Sequence, residues 1–280
     1  MFNYKRPLVV AMAVASLLTS VAADATDDGP LVTQIVDTFY KIYGTHPGFR
    51  VNHAKGVVVK GSFLATPAAS ALSRAALFNG SRIPVTVRFS NDGGIPTVPD
   101  GAPSNPKGMA IKFHLPDGAT FPASFGSAPT PGSFADQEYH GINAFIFVDK
   151  AGHRRAVRYI MSPEKSVTLT VDEAARKPPD FLVNELPQRI AKRPVVFHLE
   201  AQLAAVGDQT KDPSQPWPDS REVVDLGVLT LDQPVADTLE AQKKLLFLPT
   251  RLTDGIELSD DRLPVIRSEV YAVAFARRGG

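Results

Sequence analysis

Apolar residues recur along this chain in two rhythms, a helical one near each end and a two-residue one through most of the middle. Leu31, Ile35, Phe39 and Ile42 stand three or four apart and stop at Gly44, which predicts an amphipathic helix over 29–44. A β-branched run predicts a strand at 55–64, and Thr66 followed by Pro67 opens a short alanine-rich helix. Over 83–90 the alternation is clean: Ile83, Val85, Val87 and Phe89 share one face, Thr86, Arg88 and Ser90 the other. A turn-rich stretch from Asn91 to Lys107 leads to a strand at 109–115. Residues 116–137 are rich in Pro, Gly, Ser, Ala and Thr and are expected to form a loop. Strands follow at 142–149 and 153–161, joined by a turn at Asp149–Gly152. Asp180 is the expected cap of a helix over 180–193 that lines up Leu182, Leu186 and Ile190. Long alternating runs occupy 194–206 and 223–231, separated by a polar loop holding Trp217, and helices at about 236–247 and 260–276 complete the chain. The pattern predicts an α+β fold, an antiparallel sheet large enough to curl into a barrel, with flanking and C-terminal helices.

Composition narrows the chemistry. Cysteine is absent, so disulfides, thiolate nucleophiles and Cys-based metal sites are excluded. Thirty basic residues balance 29 acidic ones for a net charge of +1, which gives no reason to expect a nucleic-acid partner. There is no His-Glu-x-x-His motif, phosphate-binding loop, dinucleotide fingerprint or Gly-x-Ser-x-Gly elbow. His46, His114, His140, His153 and His198 show no metal spacing and are expected to be structural or exposed.

The first 25 residues read as a leader. Lys5 and Arg6 precede an uncharged apolar run from Leu8 to Val21, and small residues at Ala22, Ala23 and Ala25 follow it. The run is shorter than the ~20 residues a membrane span needs. The expectation is a secretory signal at 1–25 and one exported domain at 26–280, periplasmic in a Gram-negative host and without stable membrane association once the leader is cut.

Two stretches more than 200 residues apart carry candidate chemistry. Arg50-Val51-Asn-His53 places an arginine three residues before a histidine, a side chain that can take and return a proton at a pocket wall. His53 is expected at a strand or strand entry, where a hydrogen-bonded core role is the alternative. Arg267, Tyr271 and Arg278, four and seven residues apart, fall on one helical stripe. An arginine one turn before a tyrosine can hold the phenol ionised as a hard ligand for ferric iron. The same spacing also suits side chains that reach from a packed face to solvent.

Taken together, Arg50-x-x-His53-Ala-Lys-Gly56, Val87-Arg88-Phe89-Ser90, Pro106–Phe113, Tyr139–Phe145 and Phe247 through Tyr271 resemble the haem catalase family. The short chain and leader are similar to the small bacterial catalase-related peroxidases. The resemblance implies a catalase-like barrel binding haem b, with His53 as distal proton acceptor and Tyr271 as proximal iron ligand kept ionised by Arg267. It further implies Arg50, Arg88 and Arg278 at the propionates, Ser90 hydrogen-bonded to the histidine, and Val51 against the porphyrin. The family's distal asparagine is not matched, since Phe125-Gly126-Ser127 stand there. The implied activity is therefore reduction of hydrogen or organic peroxides by a small organic donor, with weak or no dismutation. A haem enzyme rearranging fatty-acid hydroperoxides and a non-catalytic haem-binding protein remain alternatives. Homo-oligomerisation is left open.

Overall fold

The computed structural model of the chain describes residues 29–115, 121–126 and 130–279, the second of these segments by its backbone alone. The expected leader lies outside the described residues. Strand β1 (Gly56–Ala65) pairs antiparallel with β2 (Arg82–Asn91), in register from Gly56 opposite Ser90 to Leu64 opposite Arg82. Then come β3 (Lys107–Phe113), β4 (Phe121–Gly126) and β5 (Tyr139–His140). After them lie β6 (Phe145–Val148), β7 (Arg154–Pro163), β8 (Val195–Leu203) and β9 (Val223–Pro234). Pairing runs β1–β2–β3–β4–β5–β7–β8–β9, and β9 returns to β1, so among the described residues the circuit closes as an antiparallel barrel. Closure leaves this circuit without a free edge. Strand β6 pairs with β7 and extends the sheet to β10 (Ile256–Leu258).

The interior is filled by the residues that alternation predicts to point inward. Along β8, Val195, Phe197, Leu199, Ala201 and Leu203 are buried while the residues between them are partly exposed. Phe89 packs against Phe134, Tyr139 and Phe197 at ring-centre distances of 5.6, 5.9 and 6.0 Å. Each such buried ring contributes on the order of 2 kcal/mol of hydrophobic stabilisation. A second, smaller core lies outside the barrel. There Val32, Ile35 and Val36 of helix α1 (Gly29–Tyr43) meet Ile266, Val270 and Ala274 of the C-terminal helix (Leu263–Arg277), with Val51 between them.

Helix α2 (Pro67–Leu72) starts as expected, the Thr66 hydroxyl accepting from the Ala69 amide. Next in order are α3 (Val171–Ala175), α4 (Phe181–Lys192), α5 (Thr238–Lys243) and α6 (Leu263–Arg277). Several expectations are corrected. The stretch expected to be a loop at 116–137 contains β4 and a 3₁₀ turn at Phe134–Asp136. Pairing with β3 makes β4 a strand despite its proline and small residues, a long-range cause that periodicity does not carry. The strand expected at 142–149 is confined to β6, and the helix expected at 236–247 to α5. Asp180 makes no side-chain cap on α4. Its carboxylate pairs with Lys55 at 2.6 Å, and the Leu182 and Val183 amides donate instead to buried Asp100, at 2.7 and 3.4 Å.

Candidate functional site

On the polar face of β2, Arg88 and Ser90 line a cavity rather than meeting solvent. Arg88 and Ser90 are both 4% exposed. The cavity, about 600 Å³, lies between the barrel wall, the 50–54 segment, α1 and α6. That volume falls within the range of roughly 300–1,000 Å³ usual for small-molecule and cofactor sites. All eight residues singled out from the sequence line it: Arg50, Val51, His53, Arg88, Ser90, Arg267, Tyr271 and Arg278.

His53 is not in a strand. It sits in a bend before β1 with φ of 54°, in the left-handed region, which costs a non-glycine residue on the order of 1 kcal/mol. The surrounding contacts hold it there. Arg88 Nη2 donates to the His53 carbonyl at 2.6 Å, and Ala54 N donates to the Gly93 carbonyl at 2.9 Å. His53 Nδ1 lies 3.0 Å from the Asn91 carbonyl oxygen. A carbonyl only accepts, so Nδ1 carries the ring proton and Nε2 is the proton-accepting nitrogen. Burial pulls the His53 pKa below its ordinary value. Asp92 and the Asn91 carbonyl oppose that shift, and Arg88 and Arg267 add to it. The site therefore keeps the ring neutral, as a base. Ser90 Oγ and the ring converge over Gly108, where an added Cβ would stand 3.1 Å from the hydroxyl and 3.7 Å from Nδ1.

Across the cavity, Tyr271 lies on α6 one turn after Arg267, as the spacing predicted. Arg267 Nε donates to the phenol oxygen at 3.0 Å and Nη1 donates to Asn143 Oδ1 at 3.0 Å. Asn143 Nδ2 in turn donates to Asp261 Oδ2 at 2.7 Å. Burial pushes the Asp261 carboxyl up, while its bonds to Asn143 and to the Leu263 amide hold it down. Sequence reasoning missed Asn143 and Asp261, although the segment Tyr139–Phe145 had already stood out. It also missed Gln242, which accepts from Arg88 Nε at 2.6 Å and donates to the Gly56 carbonyl at 3.1 Å.

Three arginines converge at one end of the cavity. Arg50 and Arg278 both donate to the Leu245 carbonyl, at 2.7 and 2.9 Å. Arg278 stands just past the end of α6, yet the stripe still turns it inward. Arg50 is lowered to about 9 by burial and then by Arg278, and Arg88 is lowered by burial and then by Arg50 and Arg278. Their partners are carbonyls and an amide, and Arg50 Nε and Arg278 Nε are buried without a hydrogen-bond partner. Concentrated, desolvated positive charge of this kind fits a ligand that brings its own carboxylates. Apolar walls from Val51, Ile35, Phe39 and Val270, with the Tyr271 phenol facing the same space, suit a flat apolar body with a hard metal centre. A haem with two propionates and a ferric iron fits these residues.

The remaining histidines lie outside the cavity lining. His114 bonds Thr86, and His140, His153 and His198 pair with Glu138, Asp149 and Asp225. Among the described residues, no cluster of three or more His, Cys, Asp or Glu could hold a metal ion.

Comparison with known proteins agrees with this geometry. The catalase family model matches residues 45–121 and 119–280, so the chain belongs to the catalase family. A catalase-related peroxidase of Mycolicibacterium paratuberculosis is 34% identical over 88% of this chain and 94% of its own length. One from Synechococcus elongatus is 29% identical over 96% of both chains. Among solved structures, catalase A from Saccharomyces cerevisiae superposes with a TM-score of 0.74 at 17% identity, over 89% of this chain and 64% of that one. A bacterial catalase gives 0.74 at 18% identity, over 92% and 62%. The chain thus spans under two thirds of the length of these two catalases and nearly all of the two peroxidases.

Proposed function

We propose that this chain is a haem b peroxidase, made as a precursor with a leader at residues 1–25 and working in the periplasm as a single domain. As a member of the catalase family with catalase-related peroxidases among its relatives, it is an oxidoreductase acting on peroxide. The observation that carries the finer reading is one cavity joining a neutral histidine base, an arginine-tethered tyrosine and three arginines that meet no carboxylate among the described residues.

Tyr271 would hold the iron, Arg50, Arg88 and Arg278 the propionates, and Val51 one face of the macrocycle. Bound haem supplies the two-electron redox chemistry that cleaves the peroxide O–O bond and passes the oxidation to a donor. The chain's own residues manage protons and position. His53 Nε2 accepts the peroxide proton and returns it to the departing oxygen, which leaves as water. The Asn91 carbonyl keeps Nδ1 protonated, so the basic nitrogen is always the one available for transfer. Arg267 is held by Asn143 through Nη1 and donates to the phenol oxygen through Nε.

The donor would bind at the open end of the cavity, where Ile142 is 38% exposed and Pro213 and Ser214 form the rim. Dismutation needs a second peroxide oriented by a distal amide. Phe125 and Gly126 pair with Gly108 and Lys107 in β4, and the sequence places no asparagine there. The test is peroxide-dependent oxidation of an organic dye, and oxygen release from hydrogen peroxide, by the haem-loaded protein and its His53→Gln variant. Dye oxidation well above oxygen release, and a loss of about 10²–10⁴-fold in the variant with haem retained, is the expected result. Failure of the folded wild type to take up haem overturns the reading.

A further inference from the structure

Asp92 is a charged group in the cavity to which the reading above assigns no part. Its Oδ1 lies 3.8 Å from His53 Nδ1, and its side chain is 27% exposed beside an imidazole that is 20% exposed. Its position is fixed by the backbone. Asp92 N donates to the Pro106 carbonyl at 2.9 Å and to Asn105 Oδ1 at 3.1 Å. The chain then turns at Gly93, with φ of 80°, and at Gly94 it runs so close to its neighbours that a Cβ would stand 2.2 Å from the Val51 carbonyl. This loop cannot drift away from the 50–54 segment without breaking those contacts.

We propose that Asp92 is a positioning and selectivity residue for the proton transfer at His53, stabilising the imidazolium and excluding anionic peroxides. The proposal rests on the peroxidase reading of the cavity. When a neutral peroxide gives its proton to Nε2, His53 becomes a cation and the peroxide is left as the anion. A fixed carboxylate one van der Waals step from Nδ1 stabilises that cation and leaves the Asn91 hydrogen bond in place.

The other charged groups around the pair act the opposite way or are already engaged. Arg88 from β2 and Arg267 from α6 both disfavour the imidazolium. Lys107 from β3 feels Asp92 but is bonded to the Asp100 and Asn105 carbonyls at 2.9 and 2.6 Å. Tyr43 faces Asp92 from α1, and burial together with Asp92 pushes its phenol up to about 12, so it stays neutral and adds no charge. With the three arginines engaged by propionates, Asp92 is the negative charge an incoming ligand meets beside His53. An anionic peroxide, such as a fatty-acid hydroperoxide, is repelled there, and neutral hydrogen peroxide is not.

The test begins with the haem-free chain, so that it decides the proposal whether or not haem binds. The His53 ring resonance, assigned by its loss in His53→Gln, is titrated by NMR in wild type, Asp92→Asn and Asp92→Glu. Asp92→Asn should move the midpoint to lower pH and Asp92→Glu should restore it most of the way. In haem-loaded protein, Asp92→Asn should slow the reaction with hydrogen peroxide about tenfold at neutral pH and shift the acid limb of the rate profile to lower pH. It should also raise the rate with a fatty-acid hydroperoxide relative to a neutral alkyl hydroperoxide. Identical midpoints in all three proteins, or an unchanged preference between the two hydroperoxides, would overturn the proposal.

Discussion

Arg267 Nε stands 3.0 Å from the phenol oxygen of Tyr271, one turn further along the same helix, and the guanidinium is held at its other side by Asn143. Helical spacing alone brings such a pair together, but a long side chain on a helix usually has several rotamers to choose from. Here Asn143 is itself fixed by Asp261, so the arginine gives up that choice before any ligand arrives. Pre-organisation of this kind strengthens ligation by lowering the ordering cost on binding.

Tyr271→Phe keeps the ring and removes the oxygen. The apo variant should fold as the wild type does, while the ferric absorption spectrum after haem loading should lose its tyrosinate character. Asn143→Ala frees Arg267 and should give an intermediate effect, a rise of roughly tenfold in the haem dissociation constant. An unaltered spectrum in Tyr271→Phe would show that the iron is held elsewhere.

The three-arginine cluster makes a prediction of opposite sign for stability and binding. Arg278 lowers the proton affinity of both Arg50 and Arg88, and Arg50 lowers that of Arg88, so removing Arg278 relieves repulsion in the empty protein. Arg278→Met should leave the apo melting temperature unchanged or raise it, while weakening haem binding about tenfold or more. A fall in both would mean that Arg278 is chiefly a structural donor to Leu245.

Gly56 lies beneath Arg88, and a Cβ there would stand 2.4 Å from the Phe89 carbonyl and 2.6 Å from Arg88 Nη2. Gly56→Ala should therefore move the β1–β2 edge and Arg88 together, costing about 1–3 kcal/mol of stability. Denaturant unfolding with an unchanged slope would measure this cost, and a parallel loss of haem affinity would tie it to the site.

Lys107 is 1% exposed, and burial lowers its pKa from an ordinary 10.5 to about 8. Between those values the unfolded chain binds a proton at this site that the folded chain does not, so folding stability rises with pH across the window. Its contribution is fully present above 10.5 and is lost as pH falls through 8. The wild type should gain more unfolding free energy from pH 8 to pH 10 than Lys107→Met does.

Much of the barrel was legible because alternation and β-branching report directly which face of a strand is buried. Strands β1, β2, β8 and β9 lie within a few residues of where the pattern puts them, and α1 and α6 follow their 3.6-residue stripes. Strand β4 was not legible, because what makes it a strand is hydrogen bonding to β3 rather than its own residues. The α4 cap misled for a related reason. Asp180 stands at the right position in sequence, but Asp100, eighty residues earlier, reaches the free amides first and leaves Asp180 to Lys55.

The eight candidate site residues were named from sequence motifs and a helical stripe, and the fold brings every one of them to a single cavity. Sequence by itself determined the residue types: a titratable ring, a phenol one turn after an arginine, and basic side chains spaced to share a face. Tertiary structure alone decided what each would be. Folding set the ring's protonated nitrogen by placing the Asn91 carbonyl against Nδ1, and it set Asp92 beside that ring. It also tied Arg267 through Asn143 to Asp261 and gathered three arginines away from any described carboxylate. The physical reason is range. Side-chain chemistry and local periodicity are written within a few residues, whereas pKa, tautomer and charge pairing depend on groups within about 4 Å in space that come from anywhere in the chain.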